Sequence, residues 1–226
     1  MKNQNNLWII SQNSGTPKKG GVQRHFFFSE IFNQHQIKTT IIFNSNNHLL
    51  KTPIKKGLNT EEGCNFYGIS TLFKFSSGVF RFLHMIEFGI KCFFLVFSKL
   101  PKPDMIILSS MSIFPLPAVL FLRRFYNSKF IFEVRDLWPL TPIYMKKISR
   151  LNPMIIIIST LEKIAYRSAD KIVTTLENSQ NYINSIIDDP QKIKHIPNGV
   201  PESFIKNKPV KSSKKKTSNK IIFTYG

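Results

Sequence analysis

Lys129-Phe130-Ile131-Phe132-Glu133-Val134-Arg135-Asp136-Leu137-Trp138-Pro139-Leu140-Thr141-Pro142 decides how the rest of the chain is read. Residues 129–132 have the aromatic and β-branched content of a short buried strand. Three ionisable side chains then arrive within four positions: Glu133, Arg135 and Asp136. Charge beside a core strand is costly unless it is paired or used. Trp138, Pro139 and Pro142 follow, and the prolines predict that the chain neither continues as a strand nor turns at once into a helix. The expectation is a strand that delivers a rigid, charged, aromatic loop at its carboxyl end, where open α/β sheets place their ligands. The same residues also fit a purely structural end, with Arg135 paired to Glu133 or Asp136 and Trp138 in the core.

Strands alternate with helices on both sides of this stretch. Upstream, residues 7–10 form a short apolar strand. A polar loop holding Gly15, Pro17, Gly20 and Gly21 then leads into a helical pattern over 22–34. Strand, glycine-rich loop and helix can present backbone N–H groups to a phosphate. The spacing is not that of a dinucleotide fingerprint, and Gly20-Gly21 equally suits a tight turn. Residues 37–43 and 65–69 read as strands, with 44–63 a polar loop between them. Residues 79–99 make a long amphipathic helix whose apolar side suits a core or a membrane surface. Residues 104–109 are a strand and 115–126 a helix, opened by prolines and closed by Arg123-Arg124, as the helix dipole favours.

Downstream, 153–168 is a helix with Glu162, Lys163 and Arg167 on its wet side. A strand at 171–174, a helix at 177–187 and a strand at 192–196 follow, ending in the turn Pro197-Asn198-Gly199-Val200. The alternation predicts an α/β fold: a Rossmann-like, doubly wound, mainly parallel sheet with helices on both faces. This domain is expected over 1–203. A basic Lys/Ser linker is expected over 204–219, and 220–226 reads as the first strand of a second domain that is not in the sequence.

With 226 residues, 42% hydrophobic and 13% aromatic, the chain has ample material for a core, which excludes global disorder. The net charge of +19 suits either nucleic acid or an anionic membrane surface. Basic residues are spread along the chain apart from a cluster between Lys206 and Lys220. There is no zinc-finger spacing, aromatic RNA-binding signature or helix-turn-helix, so nucleic acid is not the expected partner. Cys64 and Cys92 are too few and too isolated for a disulfide framework or a metal site, and read as reduced cysteines of a cytosolic protein. The apolar run near the N-terminus is too short for a signal-peptide core. Residues 79–100 are interrupted by Arg81, His84, Glu87, Lys91 and Lys99, unlike an ordinary spanning helix.

Four blocks in order carry a family resemblance. They are Gly20-Gly21-Val22-Gln23-Arg24, Glu133-Val134-Arg135-Asp136-Leu137-Trp138-Pro139, Leu161-Glu162 with Ala169-Asp170-Lys171-Ile172-Val173-Thr174, and His195-Ile196-Pro197-Asn198-Gly199-Val200. Together they resemble the N-terminal half of family 4 glycosyltransferases, in the bacterial branch that builds capsule and O-antigen. The resemblance implies a GT-B architecture of two Rossmann-like domains, the first holding an acceptor and the second a nucleotide-sugar donor. It implies transfer with retention of configuration, a lipid-linked or saccharide acceptor, no metal or other cofactor, and a peripheral position on the cytoplasmic face of the membrane. It also implies that the donor domain comes from elsewhere, for instance a separate chain; without it, the chain is a half-enzyme that at most binds acceptor or partner.

Carried onto this sequence, the resemblance makes Asp136 the residue that orients or deprotonates the acceptor hydroxyl. Gly20 and Gly21 become the backbone that approaches the donor diphosphate. Arg135 and Glu133 become residues that hold Asp136 or contact sugar or phosphate, and Trp138 offers an apolar face to a sugar ring. His25 and His195 are expected to be structural, with Asn198 and Gly199 shaping a hinge.

Overall fold

The computed structural model describes residues 5–73, 79–110 and 112–200. The expected linker and the strand beyond it lie outside these residues. Among them, one sheet is formed by β1 (Asn6–Ile10), β2 (Lys38–Asn44), β3 (Gly57–Glu61), β4 (Cys64–Ile69), β5 (Met105–Ser109), β6 (Lys129–Val134), β7 (Lys171–Thr174) and β8 (Ile193–His195). The spatial order is β3-β4-β2-β1-β5-β6-β7-β8. Only β3 runs antiparallel, against β4. From β1 the chain first winds outward through β2, then returns to the other side of β1 to lay down β5, β6, β7 and β8. The reversal of winding leaves a crevice at the carboxyl ends of β1 and β5, the switch point where open sheets of this kind bind ligands.

Alternation along the strands explains why the sheet needs helices on both faces. In β1, Trp8 and Ile10 point into one core with Ile42, Leu108, Phe130 and Phe132. Leu7 and Ile9 point into the other with Phe26, Ile41, Phe43 and Phe66. A strand buried on both sides reads as a continuous apolar run, which is what Leu7-Trp8-Ile9-Ile10 is. The first core is covered by α2 (Val79–Phe93), α3 (Leu116–Tyr126), α5 (Pro153–Ser168) and α6 (Ser179–Ile187); α1 (Arg24–Gln34) covers the second. Acidic residues at the strand starts satisfy neighbouring backbone. Asp104 accepts from the Asn6 amide at 2.7 Å and Asp170 from the Phe130 amide at 2.7 Å.

Three local expectations are corrected. Residues 44–63 are not all loop: Gly57–Glu61 forms β3, and Gly57 (φ 84°) and Gly63 (φ 82°) adopt the left-handed backbone at its two ends. β3 is an edge strand with no buried residue, Leu58 and Thr60 being exposed, so no pattern based on burial finds it. The chain also turns directly into a helix after Trp138, as α4 (Leu140–Lys146) with Pro139 at its N-cap. Proline stops a helix interior but is suited to its start, where the missing N–H has no partner to lose.

The third correction is Glu162, which is 3% exposed rather than on the wet side of α5. Tyr166 donates to one of its oxygens and Tyr182 of α6 to the other, both at 2.9 Å. Burial raises its pKa, opposed by the two tyrosine hydroxyls and Lys163. A carboxylate between two phenols is thus the polar seam of an otherwise apolar helix pair.

Candidate functional site

The carboxyl end of β6 does what its sequence suggests: it ends in a turn at Arg135 and Asp136 that hangs over the crevice. Ser110, at the end of β5, holds that turn. Its hydroxyl accepts from the Arg135 amide at 2.9 Å, while its own amide donates to the Glu133 carbonyl at 2.8 Å. Asp136 is exposed and Trp138 half-buried. Both line a hollow of about 410 Å³ with Thr141, Pro142 and Met145. Trp138 also walls a second hollow of about 330 Å³, between Arg81 and Phe82 of α2 and Met154 and Ile155 of α5. The indole therefore packs against the edge of the first core and offers an aromatic wall to two adjoining spaces.

Glu133 sits beneath this turn, 2% exposed, and opens onto neither hollow. Both its oxygens are taken: Oε2 by His25 Nε2 at 2.7 Å and Oε1 by Arg24 Nε at 2.9 Å. An ionised carboxylate only accepts, so His25 Nε2 carries the hydrogen of its bond. Nδ1 of the same ring lies 3.0 Å from the Ser14 hydroxyl. Burial by itself raises the Glu133 pKa, but the His25 ring and the Arg24 guanidinium outweigh it and hold the carboxyl far below the usual range. Arg24 goes further. Its Nη1 donates to the Pro197 carbonyl at 2.9 Å and to Asn198 Oδ1 at 3.1 Å, and Nη2 donates to the Ile196 carbonyl at 2.9 Å. One guanidinium, stacked 4.4 Å from the centre of the Phe28 ring, thereby ties the start of α1 and the end of β6 to three consecutive residues after β8.

The glycine-rich loop is packed rather than open. Gly20 (φ 84°) and Gly21 (φ 82°) both adopt left-handed backbone that other residues rarely take. A Cβ on Gly20 would lie 2.8 Å from the Leu49 carbonyl oxygen, and one on Gly21 would lie 2.9 Å from the Gly15 Cα. Their amides are already used, Gly20 donating to the Thr16 carbonyl and Gly21 to the Leu49 carbonyl, each at 2.9 Å. Close approach of backbone to backbone is thus what these glycines provide here, and a phosphate would have to replace those acceptors. Gly21 does face the crevice. It lines a hollow of about 640 Å³ with Arg24, Phe28, Arg135, Asn198 and Gly199. Burial pulls the Arg135 pKa down, and Glu133 and Asp136 counter it while Arg24 adds to it.

The sequence-derived residues therefore fall into two adjoining groups. Gly21 and Arg135 share one hollow; Asp136 and Trp138 share the next; Gly20 and Glu133 line neither. Sequence reasoning set His25 aside as structural, and its place in the core of the network fits that role. It did not foresee that Arg24 would be the hub. The polar loop after β1 and the serines at the carboxyl end of β5 were legible in the sequence, but their burial was not. Ser11 Oγ, Gln12 Oε1, Asn13 Oδ1, Ser109 Oγ and Ser112 Oγ are buried at the switch point without a hydrogen-bond partner. Buried polar atoms are nearly always satisfied, so this cluster belongs to a place that meets water or ligand. A run of Ser, Gln and Asn directly after a buried apolar strand was the available signal.

No family model matches the sequence, and no curated protein matches it. Solved structures do. Sucrose-phosphate synthase from Thermosynechococcus elongatus aligns at TM-score 0.52 and 13% identity, over 88% of this chain and 92% of that one. The catalytic domain of starch synthase IV from Arabidopsis thaliana, bound to ADP and acarbose, aligns at TM-score 0.60 and 12% identity, over 87% of this chain and 52% of that one. Arabidopsis thaliana UGT89C1 complexed with UDP-L-rhamnose aligns at TM-score 0.52 and 13% identity, over 88% and 54%. These neighbours are GT-B glycosyltransferases, and the likeness at such identities is one of fold. The chain spans about half the length of the latter two.

Proposed function

We propose that this chain is the acceptor-side half of a glycosyltransferase that moves a sugar from a nucleotide-sugar donor to a lipid-linked or saccharide acceptor. The observation that carries the proposal is the position of Asp136 and Trp138. An exposed carboxylate and an aromatic wall share a hollow on the turn after β6, beside the switch point of the sheet. Trp138 stacks on a sugar ring through its apolar face. Asp136 orients the attacking hydroxyl, a task that needs an acceptor oxygen within hydrogen-bond reach of the reacting group. Arg135 and Gly21 face the neighbouring hollow and meet the donor's charged side, Arg135 being suited to a diphosphate. Glu133 acts from beneath, through Arg24, as a positioning residue. Retention of configuration, independence from metal, a role in surface polysaccharide and a peripheral place on the inner face of the membrane come from the resemblance to family 4 enzymes.

The test is transfer of labelled sugar from a panel of nucleotide sugars to lipid extract and to oligosaccharides. It is run with the chain alone and with source-cell extract that can supply a donor half. Transfer that depends on the chain and falls at least a hundredfold in Asp136→Asn, about the worth of a positioned general base, is the expected result. Undiminished transfer in Asp136→Asn, or none from any donor in either setting, overturns the proposal.

A further inference from the structure

The helix α2 has two apolar sides. Phe88 and Cys92 face the core, as does Leu95 of the 3₁₀ turn Phe94–Phe97 that follows α2. On the other side Ile90 and Phe93 of α2 are followed by Phe94 and Phe97 of that turn. These residues are exposed, Phe94 at 62% and Phe97 at 82%. The stripe does not end with α2. The Phe93 ring lies 5.8 Å from that of Phe121 on α3, and Phe121 stacks on Phe125, itself 59% exposed, at 6.0 Å. The result is a continuous aromatic ridge on the outside of the α2–α3 layer. Scattered exposed apolar residues need no explanation, but a contiguous patch marks a contact surface.

Cations border the ridge on both sides. Phe94 shares a hollow of about 280 Å³ with Lys56 and Lys91. Beyond α3, a hollow of about 550 Å³ is lined by Arg123, Arg124 and Lys129. Lys91 and Arg123 already pair with Glu87 and Asp170, so the surplus positive charge along the ridge comes from Lys56, Arg124 and Lys129. An apolar ridge alone fits a second copy of the chain as well as a lipid surface. Charge separates the two. Two copies of a chain of net charge +19, meeting through a face rimmed with cations, bring like charges together. A bilayer carrying anionic phospholipids complements both features, with aromatic rings entering the acyl boundary and headgroup phosphates meeting the basic hollows.

We infer that the ridge of α2 and α3, Ile90 to Phe97 with Phe121 and Phe125, docks on an anionic phospholipid surface. This inference depends on no catalytic step and survives the loss of the reading above. The experiment is sedimentation of the full chain with vesicles of phosphatidylcholine alone and of phosphatidylcholine with about a third phosphatidylglycerol, a content chosen to give a strongly negative surface. Wild type is expected to bind the anionic vesicles, less tightly as salt rises. The variant Phe94→Ser/Phe97→Ser/Phe125→Ser alters only exposed positions. It is expected to keep the wild-type circular dichroism and to lose on the order of a thousandfold in vesicle affinity, each of the three rings being worth about tenfold.

Equal affinity in wild type and the triple variant would mean that charge alone, including the basic residues 206–220, does the binding, and would overturn the inference. A concentration-dependent dimer by light scattering, abolished in the triple variant, would also overturn it by making the ridge a self-interface. Should the triple variant misfold, Phe97→Trp replaces it. Emission quenched by brominated lipid in the bilayer supports insertion, and unquenched emission from bound protein refutes it.

Discussion

Glu133→Gln removes one charge at nearly constant volume and tests whether the Arg24–Glu133–His25 network organises the crevice. The carboxylate accepts one hydrogen bond on each oxygen, from His25 Nε2 at 2.7 Å and Arg24 Nε at 2.9 Å. A glutamine can accept on only one side; its NH₂ then faces either Arg24 Nε, which cannot accept, or His25 Nε2, which accepts only when the ring hydrogen moves to Nδ1 beside Ser14. Arg24, only 7% exposed, then loses its compensating charge. Removing one partner of a buried pair costs about 3–5 kcal/mol. Arg24 keeps three acceptors on Ile196, Pro197 and Asn198, which places the expected loss near the lower end, about 3 kcal/mol. With a urea slope of about 2–3 kcal/mol/M for a chain of this size, the unfolding midpoint falls by about 1–1.5 M.

The pH dependence of that loss has a definite sign. The folded pKa of Glu133 is depressed below its ordinary 4.5. Its stabilisation is therefore fully present above the unfolded value and is lost as pH falls toward the folded one. The gap between wild type and Glu133→Gln should be widest near neutrality and should narrow below about pH 4.5, where the unfolded state takes up the proton. A midpoint within about 0.3 M of wild type at pH 7, a difference too small for loss of a buried pair, would refute the reasoning. So would a gap that widens in acid.

Glu162 carries the opposite sign. Its folded pKa is raised, so its contribution is present below the unfolded value and is lost as pH rises through the folded one. Glu162→Gln can still bond both tyrosine hydroxyls, since a hydroxyl also accepts. Its stability relative to wild type should rise between acid and neutral pH in urea unfolding; a fall would be inconsistent with a desolvated carboxyl. Gly21→Ala and Gly63→Ala separate backbone strain from crowding, because both residues have φ 82°. A Cβ at Gly63 meets nothing within 4 Å, whereas at Gly21 it lies 2.9 Å from Gly15 Cα. Gly63→Ala should cost about 1 kcal/mol and Gly21→Ala distinctly more, read as a larger fall in the thermal midpoint. Equal shifts would mean that the loop yields without cost.

What the sequence made legible is what depends on neighbours along the chain. The apolar run of β1, the strand that opens β6 and the loop that ends it all follow from residues within one window, and their alternation with helices yields the parallel sheet. Asp136 and Trp138 stand together because two positions separate them on one rigid turn. The remainder depends on pairs distant in sequence. Glu133 is 109 positions from Arg24 and Pro197 is 173; no local pattern announces that a helix-start arginine, a strand-end glutamate and a turn will meet. Arg135 is nearer to Glu133 in sequence and acts on it through charge, but the hydrogen bonds to the carboxylate come from Arg24 and His25. Glu133 ends up buried beneath the turn, while Arg135 lines the hollow with Gly21 and Asn198.

Glu162 fails for a related reason. A helical stripe marks which side is apolar, but a tyrosine from the same helix and one from its neighbour convert a polar position into a buried one. The structure thereby separates two groups that the sequence alone could not: exposed Asp136 and half-buried Trp138 on one hollow, and buried Glu133 and His25 in the frame beneath. The Arg24 guanidinium is part of the buried pair and also lines the open hollow beside Gly21. A ligand phosphate entering that hollow would compete with Glu133 and the residues after β8 for the same N–H groups. Arg24 is thus the side chain through which an occupied crevice would act on the segment leaving β8.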